Sequence, residues 1–246
     1  MPIRIARYAD FSTIPSIFAI GFHDEEVFGP FLHPYREQFP QDYLTHWHRQ
    51  CRQKFWDYSK VFLVSYETEQ GTGREILTGV AEWQRDGSGW EKVWGLWGWW
   101  DPRRLIQPIV VFINTLANIL FPNRAAAKPP QLTPYNFDAA YFPYVAHFYS
   151  SPPYRKNTWS LVCLAVLPQY RTRGHGRELV AWGLERAREE RIVANVVAAK
   201  GKENFYRRCG FTDLVGWATD GEENPLKKAG IEGGAILFTP PIREQK

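Results

Sequence analysis

The run Val166-Leu167-Pro168-Gln169-Tyr170-Arg171-Thr172-Arg173-Gly174-His175-Gly176 decides how this chain folds and what it can hold. Before it, residues 159–167 (WSLVCLAVL) form an apolar stretch of the kind found in a strand buried on both faces. After it, residues 176–190 (GRELVAWGLERAREE) carry apolar side chains at helical spacing. Closely spaced glycines at a strand-to-helix turn let backbone approach a ligand closely. The first amides of the helix have no carbonyl of their own helix to bond. Such a terminus attracts an anion through these amides and the helix dipole, and Arg171, Arg173 and Arg177 add charge. A pyrophosphate suits it. A Walker A loop needs Gly-Lys-Ser/Thr after its glycines, and a dinucleotide fingerprint needs a third small residue where this chain has Arg177, Glu178 and Leu179. Neither fits, although a bare GHG turn is equally compatible with ordinary helix entry.

Downstream, residues 192–199 read as another apolar strand, 204–209 as a short helix, and 212–217 and 235–239 as strands that complete a βαβαβ succession and close the sheet. Upstream, residues 3–8 alternate as an opening strand, Asp10 or Ser12 can cap a helix over 14–22, and 42–56 reads as a second helix. Residues 61–66 and 76–84 predict a hairpin across the turn EQGTGRE. From 86 to 157 the order of Trp, Pro, Ala and Tyr becomes irregular, and this region reads as an insertion with one helix, roughly 103–120.

That helix is mostly apolar, but Gln107, Asn114 and Asn118 fall near one face and Pro108 interrupts it, which is too polar for a comfortable membrane span. A helix packed on the core is the first reading. A lid over an acceptor pocket, a subunit contact and an interfacial membrane contact are the alternatives, kept open by Trp94, Trp97, Trp99 and Trp100 beside the helix.

The composition is that of one domain over residues 1–246. Of the 246 residues 44% are hydrophobic and 23% charged, which excludes a disordered chain. The net charge of +4 is mild and scattered, so nucleic acid is not implied. Cys51, Cys163 and Cys209 are far apart and lack ligand spacing, so neither a disulfide framework nor a metal site is expected. They read as reduced thiols, and with no signal-peptide segment at the N-terminus the expected compartment is cytoplasmic.

One helix and one strand after the glycine turn comes Asn204-Phe205-Tyr206-Arg207-Arg208-Cys209-Gly210-Phe211. Arg-x-x-Gly-x-Gly after a strand ending in Val-x-Pro, with Tyr-x-x-x-Gly-Phe about thirty residues on, resembles the acyl-CoA signature of the GCN5-related N-acetyltransferase (GNAT) superfamily. The motifs cover 159–217, the acyl-CoA-binding core. Residues 3–11 and 61–84 are consistent with the family's N-terminal half, whereas 86–157 has no counterpart.

The resemblance implies an α/β (α+β) fold: a central mixed, mostly antiparallel sheet flanked by helices, with two central strands splayed apart and a large helical or irregular insertion. It implies transfer of acetyl from acetyl-CoA to a primary amine by direct attack, with no metal. Leu164, Ala165 and Val166 are expected to lend backbone groups to the pantetheine arm, Val166 also as oxyanion donor. Arg171, Thr172, Arg173, Gly174, His175, Gly176 and Arg177 are expected to wrap the pyrophosphate, His175 through its backbone amide. Asn204 is expected to reach the pantetheine or the thioester region, Phe205 and Phe211 to pack the motif, and Tyr206, a phenol with an ordinary pKa of about 10, to protonate the departing thiolate. Glu82 is the leading general base because family members often place a carboxylate on a central strand. Asp24, Glu25, Glu26, His147 and a base acting through water are the alternatives.

Aromatic segments at 22–35, 90–100 and 141–154 are expected to wall the acceptor site, which favours a hydrophobic or aromatic small amine. A protein or peptide acceptor and a non-catalytic acyl-CoA binder are the rivals. The chain is expected to be a monomer or a homodimer.

Overall fold

The computed structural model describes residues 1–88, 102–128 and 132–241. Seven strands form one mixed sheet: β1 (Ile3–Ile5), β2 (Lys60–Thr68), β3 (Glu75–Asp86), β4 (Thr158–Val166), β5 (Val193–Ala198), β6 (Asp213–Trp217) and β7 (Ala235–Phe238). Their order is β1-β2-β3-β4-β5-β7-β6, and every neighbouring pair is antiparallel except β4 and β5. The expected sheet is therefore present. The last strand does not close it at the edge, however; β7 inserts between β5 and β6.

Seven helices accompany the sheet among the described residues: α1 (Ile14–Gly21), α2 (Pro40–Phe55), α3 (Arg103–Leu120), α4 (Phe137–Ser150), α5 (His175–Glu190), α6 (Glu203–Cys209) and α7 (Pro225–Lys228). On one face α5 covers the strands through Leu179, Val180, Leu184 and Ala187, which meet Trp83, Trp159, Leu161 and Val196. On the other face α1 and α2 deliver Ile14, Ile17, Phe18, Tyr43, Trp47 and Cys51 against Phe62, Val64, Val80, Cys163 and Ala165. Tyr43, Trp47 and Cys51 recur every four residues, the spacing that keeps one stripe of a helix on the core.

Two local expectations change. The opening strand stops at Ile5, because Asp10 accepts the Arg7 amide at 2.6 Å and folds residues 8–12 into a tight turn. Asp10 thus caps that turn and not α1, whose N-cap is Thr13, and the Ser12 hydroxyl donates back to Ala9 O. The segment 86–157 holds a second helix, α4, which packs Val145, Tyr141, Phe148 and Tyr149 against Val193, Ile236 and Phe238. Pro143 inside it and apolar residues all round its circumference hide the helical period. Trp94, Trp97, Trp99 and Trp100 lie outside the described residues.

Candidate functional site

The site begins at an irregularity in β4. Glu82 pairs with Cys163 and Trp83 with Leu161, so Val162 is an extra residue opposite the Glu82–Trp83 step. A bulge reverses the side-chain alternation that follows it. Trp159 and Leu161 accordingly face α5, whereas Cys163 and Ala165 face α1 and α2. At the same point β4 leaves β5: pairing runs from Thr158–Val193 to Leu161–Val196 and ends. Val162 and Val197, just past the fork, are each 39% exposed. Successive amides of a strand point to opposite edges. Leu167 N donates to Thr78 O on the β3 side, so the Val166 amide is directed at the open edge.

The N-terminus of α5 adjoins that open edge. Its N-cap is Gly174 at φ 94°, a left-handed conformation that favours glycine, and no side chain caps the helix. Thr172, a β-branched residue at φ 66°, holds a second left-handed position, the kind of backbone strain that collects at ligand-binding turns. Arg171 folds back so that its Nε donates to Val166 O at 3.1 Å. Arg173 reaches Glu67 at 3.4 Å, and Arg177 is exposed. His175 is buried, its Nδ1 3.0 Å from Thr78 Oγ1 and its Nε2 3.3 Å from Glu67 Oε1. Ser65 extends the chain, its hydroxyl 2.9 Å from that of Thr78. The side chain of His175 thus fastens the glycine turn to β2 and β3, a role its place between two glycines does not announce.

A cavity of about 1460 Å³ follows the fork and brings most of the candidates together. Its wall includes Leu164, Ala165 and Val166 of β4, then Arg171, Thr172, Gly174, His175, Gly176 and Arg177, and then Asn204, Phe205 and Tyr206 of α6. Arg173 is the one expected pyrophosphate contact outside that wall. The Tyr206 ring meets Phe205 and Phe211 edge-on, with centroids 5.0 and 6.1 Å away. Burial, reinforced by Cys163 and Cys209, pushes its phenol above the usual range, so it stays protonated.

Glu82 is only 1% exposed and does not line the cavity. Its carboxylate oxygens accept from Lys54 Nζ at 2.9 Å and Lys60 Nζ at 3.0 Å. Burial alone would raise its pKa, but the two ammonium groups outweigh burial and hold it below the ordinary glutamate value. Lys60 also donates to Gln84, whose amide donates to Asp86 Oδ1 at 2.6 Å. Ser160 donates to the other Asp86 oxygen and accepts from Asn195 Nδ2 at 2.7 Å. Lys54, Lys60, Gln84, Asp86, Ser160 and Asn195 all line the cavity, giving it a continuous polar wall from α2 across four strands. These residues are far apart in sequence; strand registry gathers all but Lys54, which α2 brings in through its contact with Glu82.

Of the other carboxylates, Asp24, Glu25 and Glu26 line the cavity. Glu25 Oε2 accepts the amides of Val27 and Phe28 at 3.0 and 2.8 Å, and burial nevertheless raises its pKa above the usual value. Glu26 accepts Gly233 N at 2.9 Å, tying the segment after α1 to the turn before β7. His147 lies in the last turn of α4 against Phe148 and is not part of the wall. Phe22, Phe28, Tyr141, Phe142 and Tyr149 give the wall aromatic character.

Cys163, also on the wall, is pushed up to about 12, first by burial and then by Glu82. Such a thiol is no nucleophile. Among the described residues, no group of three or more His, Cys, Asp or Glu is arranged to hold a metal ion, and no helix is long and apolar enough to cross a membrane.

Residues 142–213 match the family model for an acetyltransferase (GNAT) domain. In structure the chain is similar to the histone acetyltransferase HPA2 and related acetyltransferase from Corynebacterium glutamicum: 16% identity, 99% of this chain and 98% of that one covered, TM-score 0.58. It is also similar to a GCN5-related N-acetyltransferase from Kribbella flavida (15% identity, 97% and 96% covered, TM-score 0.46). A third similar structure is the paiA N-acetyltransferase from Thermoplasma acidophilum in complex with coenzyme A (11% identity, 97% and 99% covered, TM-score 0.45). No curated protein sequence matches the chain.

Proposed function

Taking as premise that the chain carries a GNAT acetyltransferase domain and has the GNAT fold, we propose that it transfers acetyl from acetyl-CoA to the primary amine of a small molecule by direct attack. The observation that carries this reading is the fork between β4 and β5, which opens beside a glycine-capped helix start flanked by Arg171, Arg173 and Arg177. A helix start that no side chain caps, with strained backbone, on one side and an unpaired strand edge on the other fit a pyrophosphate followed by an amide-bearing arm.

In this reading, Arg171 to Arg177 hold the pyrophosphate, Leu164 to Val166 pair with the pantetheine arm, and Asn204 reaches that arm from α6. When bound, acetyl-CoA supplies the activated acetyl group. The Val166 amide donates to the oxygen on which negative charge develops. Tyr206, kept protonated by burial, gives its proton to the leaving sulfur. Cys163 stays a thiol, which favours direct attack over an enzyme-bound acyl group.

The attacking amine must lose a proton. Glu25, raised by burial and on the cavity wall, suits that task better than Glu82, which lies behind the wall with both oxygens already accepting from ammonium groups. We assign Glu82 instead to fixing Lys54 and Lys60 in place.

Asp24, Glu25, Glu26 and Asp86 beside Tyr141, Phe142 and Tyr149 favour a cationic amine with an apolar or aromatic body. The cavity exceeds the volume of about 300–1,000 Å³ that holds a single drug-sized ligand, as a site for donor and acceptor together requires.

Release of free CoA from acetyl-CoA, measured with arylalkylamines, polyamines, amino acids and basic peptides, tests the proposal. Turnover with small amines supports it. Turnover confined to peptides transfers the acceptor to a protein, and acetyl-CoA binding without turnover across the panel makes the protein an acyl-CoA binder.

A further inference from the structure

Helix α3 is mounted with its polar side inward. Asn114, buried, donates to Arg49 O at 2.9 Å and accepts from Arg52. Asn118 accepts from Arg49 at 2.8 Å. Both arginines belong to α2, so a stripe of amides and guanidinium groups joins the two helices. The opposite side presents Leu105 (73% exposed), Ile109, Phe112 (67%), Leu116 and Ile119 (71%), at alternating spacings of four and three along one face. Ile113, Leu120 and Phe121 widen it, and all three are exposed. An amphipathic helix normally turns such a face to the core, and one carrying this many large apolar residues marks an interaction surface.

The charge pattern selects the partner. Between Asp101 and Asp138 the chain contains no Asp or Glu, yet it contains Arg103, Arg104, Arg124 and Lys128. The guanidinium groups of Arg103 and Arg104 stand 4.5 and 5.9 Å from the Tyr58 ring at one end of α3; beyond the other, Arg124 is paired with Asp42 at 2.7 Å and Lys128 is exposed. An apolar face with cations at both ends is complementary to a lipid surface bearing anionic headgroups. In sequence, Trp90, Trp94, Trp97, Trp99 and Trp100 immediately precede the helix, and tryptophan prefers the headgroup level of a bilayer.

We infer that α3 is a membrane-surface helix that lies in the plane of an anionic bilayer with Leu105, Ile109, Phe112, Leu116 and Ile119 in the lipid. Asn114 and Asn118 hold it to α2, so the rest of the protein stays above the surface. The inference does not depend on acyl transfer.

Co-sedimentation of the full chain with phosphatidylcholine vesicles, with and without phosphatidylserine, tests it. The expected result is partition onto the phosphatidylserine vesicles that weakens with salt and falls at least about tenfold in Phe112→Asp/Ile119→Asp. Circular dichroism and acetyl-CoA binding verify that the variant is folded. Phe112→Gln is the milder replacement if the double variant does not fold, and it too should lower the partition. Failure of the folded wild type to bind phosphatidylserine vesicles overturns the inference, as does equal binding by the folded variants. A wild-type dimer that binds no vesicles and is split by Phe112→Asp assigns the face to a second copy and also overturns it.

Discussion

The Lys54 ammonium lies 2.9 Å from Oε2 of Glu82, a carboxylate only 1% exposed at the centre of the sheet. With Lys60 at 3.0 Å, two cations converge on one anion, and removing that anion leaves both in a partly desolvated site. Glu82→Gln is expected to destabilise the protein by about 3 kcal/mol, the low end for breaking a buried pair because both ammonium groups are partly exposed. The pH dependence has a fixed sign. A carboxylate held below its ordinary pKa stabilises the fold at pH values above that ordinary value, and the stabilisation is lost as pH falls through the folded-state pKa. Urea denaturation from neutrality down to below pH 4.5 should therefore show the gap between wild type and Glu82→Gln closing in acid. A gap that stays constant removes the ion cluster as its cause.

Tyr206→Phe keeps the ring that meets Phe205 and Phe211 and removes only the hydroxyl. A proton donor to the leaving group typically contributes about 10²-fold or more to the rate. The expected outcome is a fall in kcat of that order with KM for acetyl-CoA nearly unchanged. An unchanged kcat would reduce Tyr206 to a packing residue, and a raised KM alone would assign it to cofactor binding.

The part of the site legible in the sequence is the part encoded locally. Gly174 and Gly176 at a strand-to-helix turn and Tyr206 one helix later are short-range patterns, and both segments line one cavity. The order β5-β7-β6 has no such local signal, because nothing in residues 235–239 states which strand they join. Lys54, Lys60, Asp86 and Asn195 were illegible for the same reason: each is an ordinary polar residue until the registers of β2, β3, β4 and β5 and the packing of α2 place them side by side. The helical period of α3 was plain, but which of its faces is buried is decided by Arg49 and Arg52 on another helix.

His175 ties α5 to the sheet through Thr78 and Glu67. Thr78→Val keeps the shape of that buried side chain and removes the hydroxyl that the imidazole meets, leaving an unpaired polar nitrogen. Loosening the first turn of α5 is expected to raise KM for acetyl-CoA by about tenfold, which corresponds to about 1.4 kcal/mol. The value of kcat should change much less. Steady-state kinetics at saturating amine separate the two, and a change in kcat alone would sever the link between this buried pair and the phosphate turn.

Gly183 faces the indole of Trp83 so closely that a Cβ there would lie 2.2 Å from Cε2. The indole cannot retreat readily: its Nε1 donates to Leu179 O at 3.1 Å, one turn back on the same helix, and the ring is fully buried. Gly183→Ala gains about 1 kcal/mol of helix propensity but overpacks the core at a cost of roughly 1–3 kcal/mol. The core term is expected to win. A net loss of about 1 kcal/mol lowers Tm by about 2–4 °C in a domain of this size. Trp83→Phe supplies the control, because the smaller ring relieves the clash. Gly183→Ala should cost less in the Trp83→Phe background than in the wild type, and equal costs in the two backgrounds would show that the contact does not limit what α5 accepts at this position.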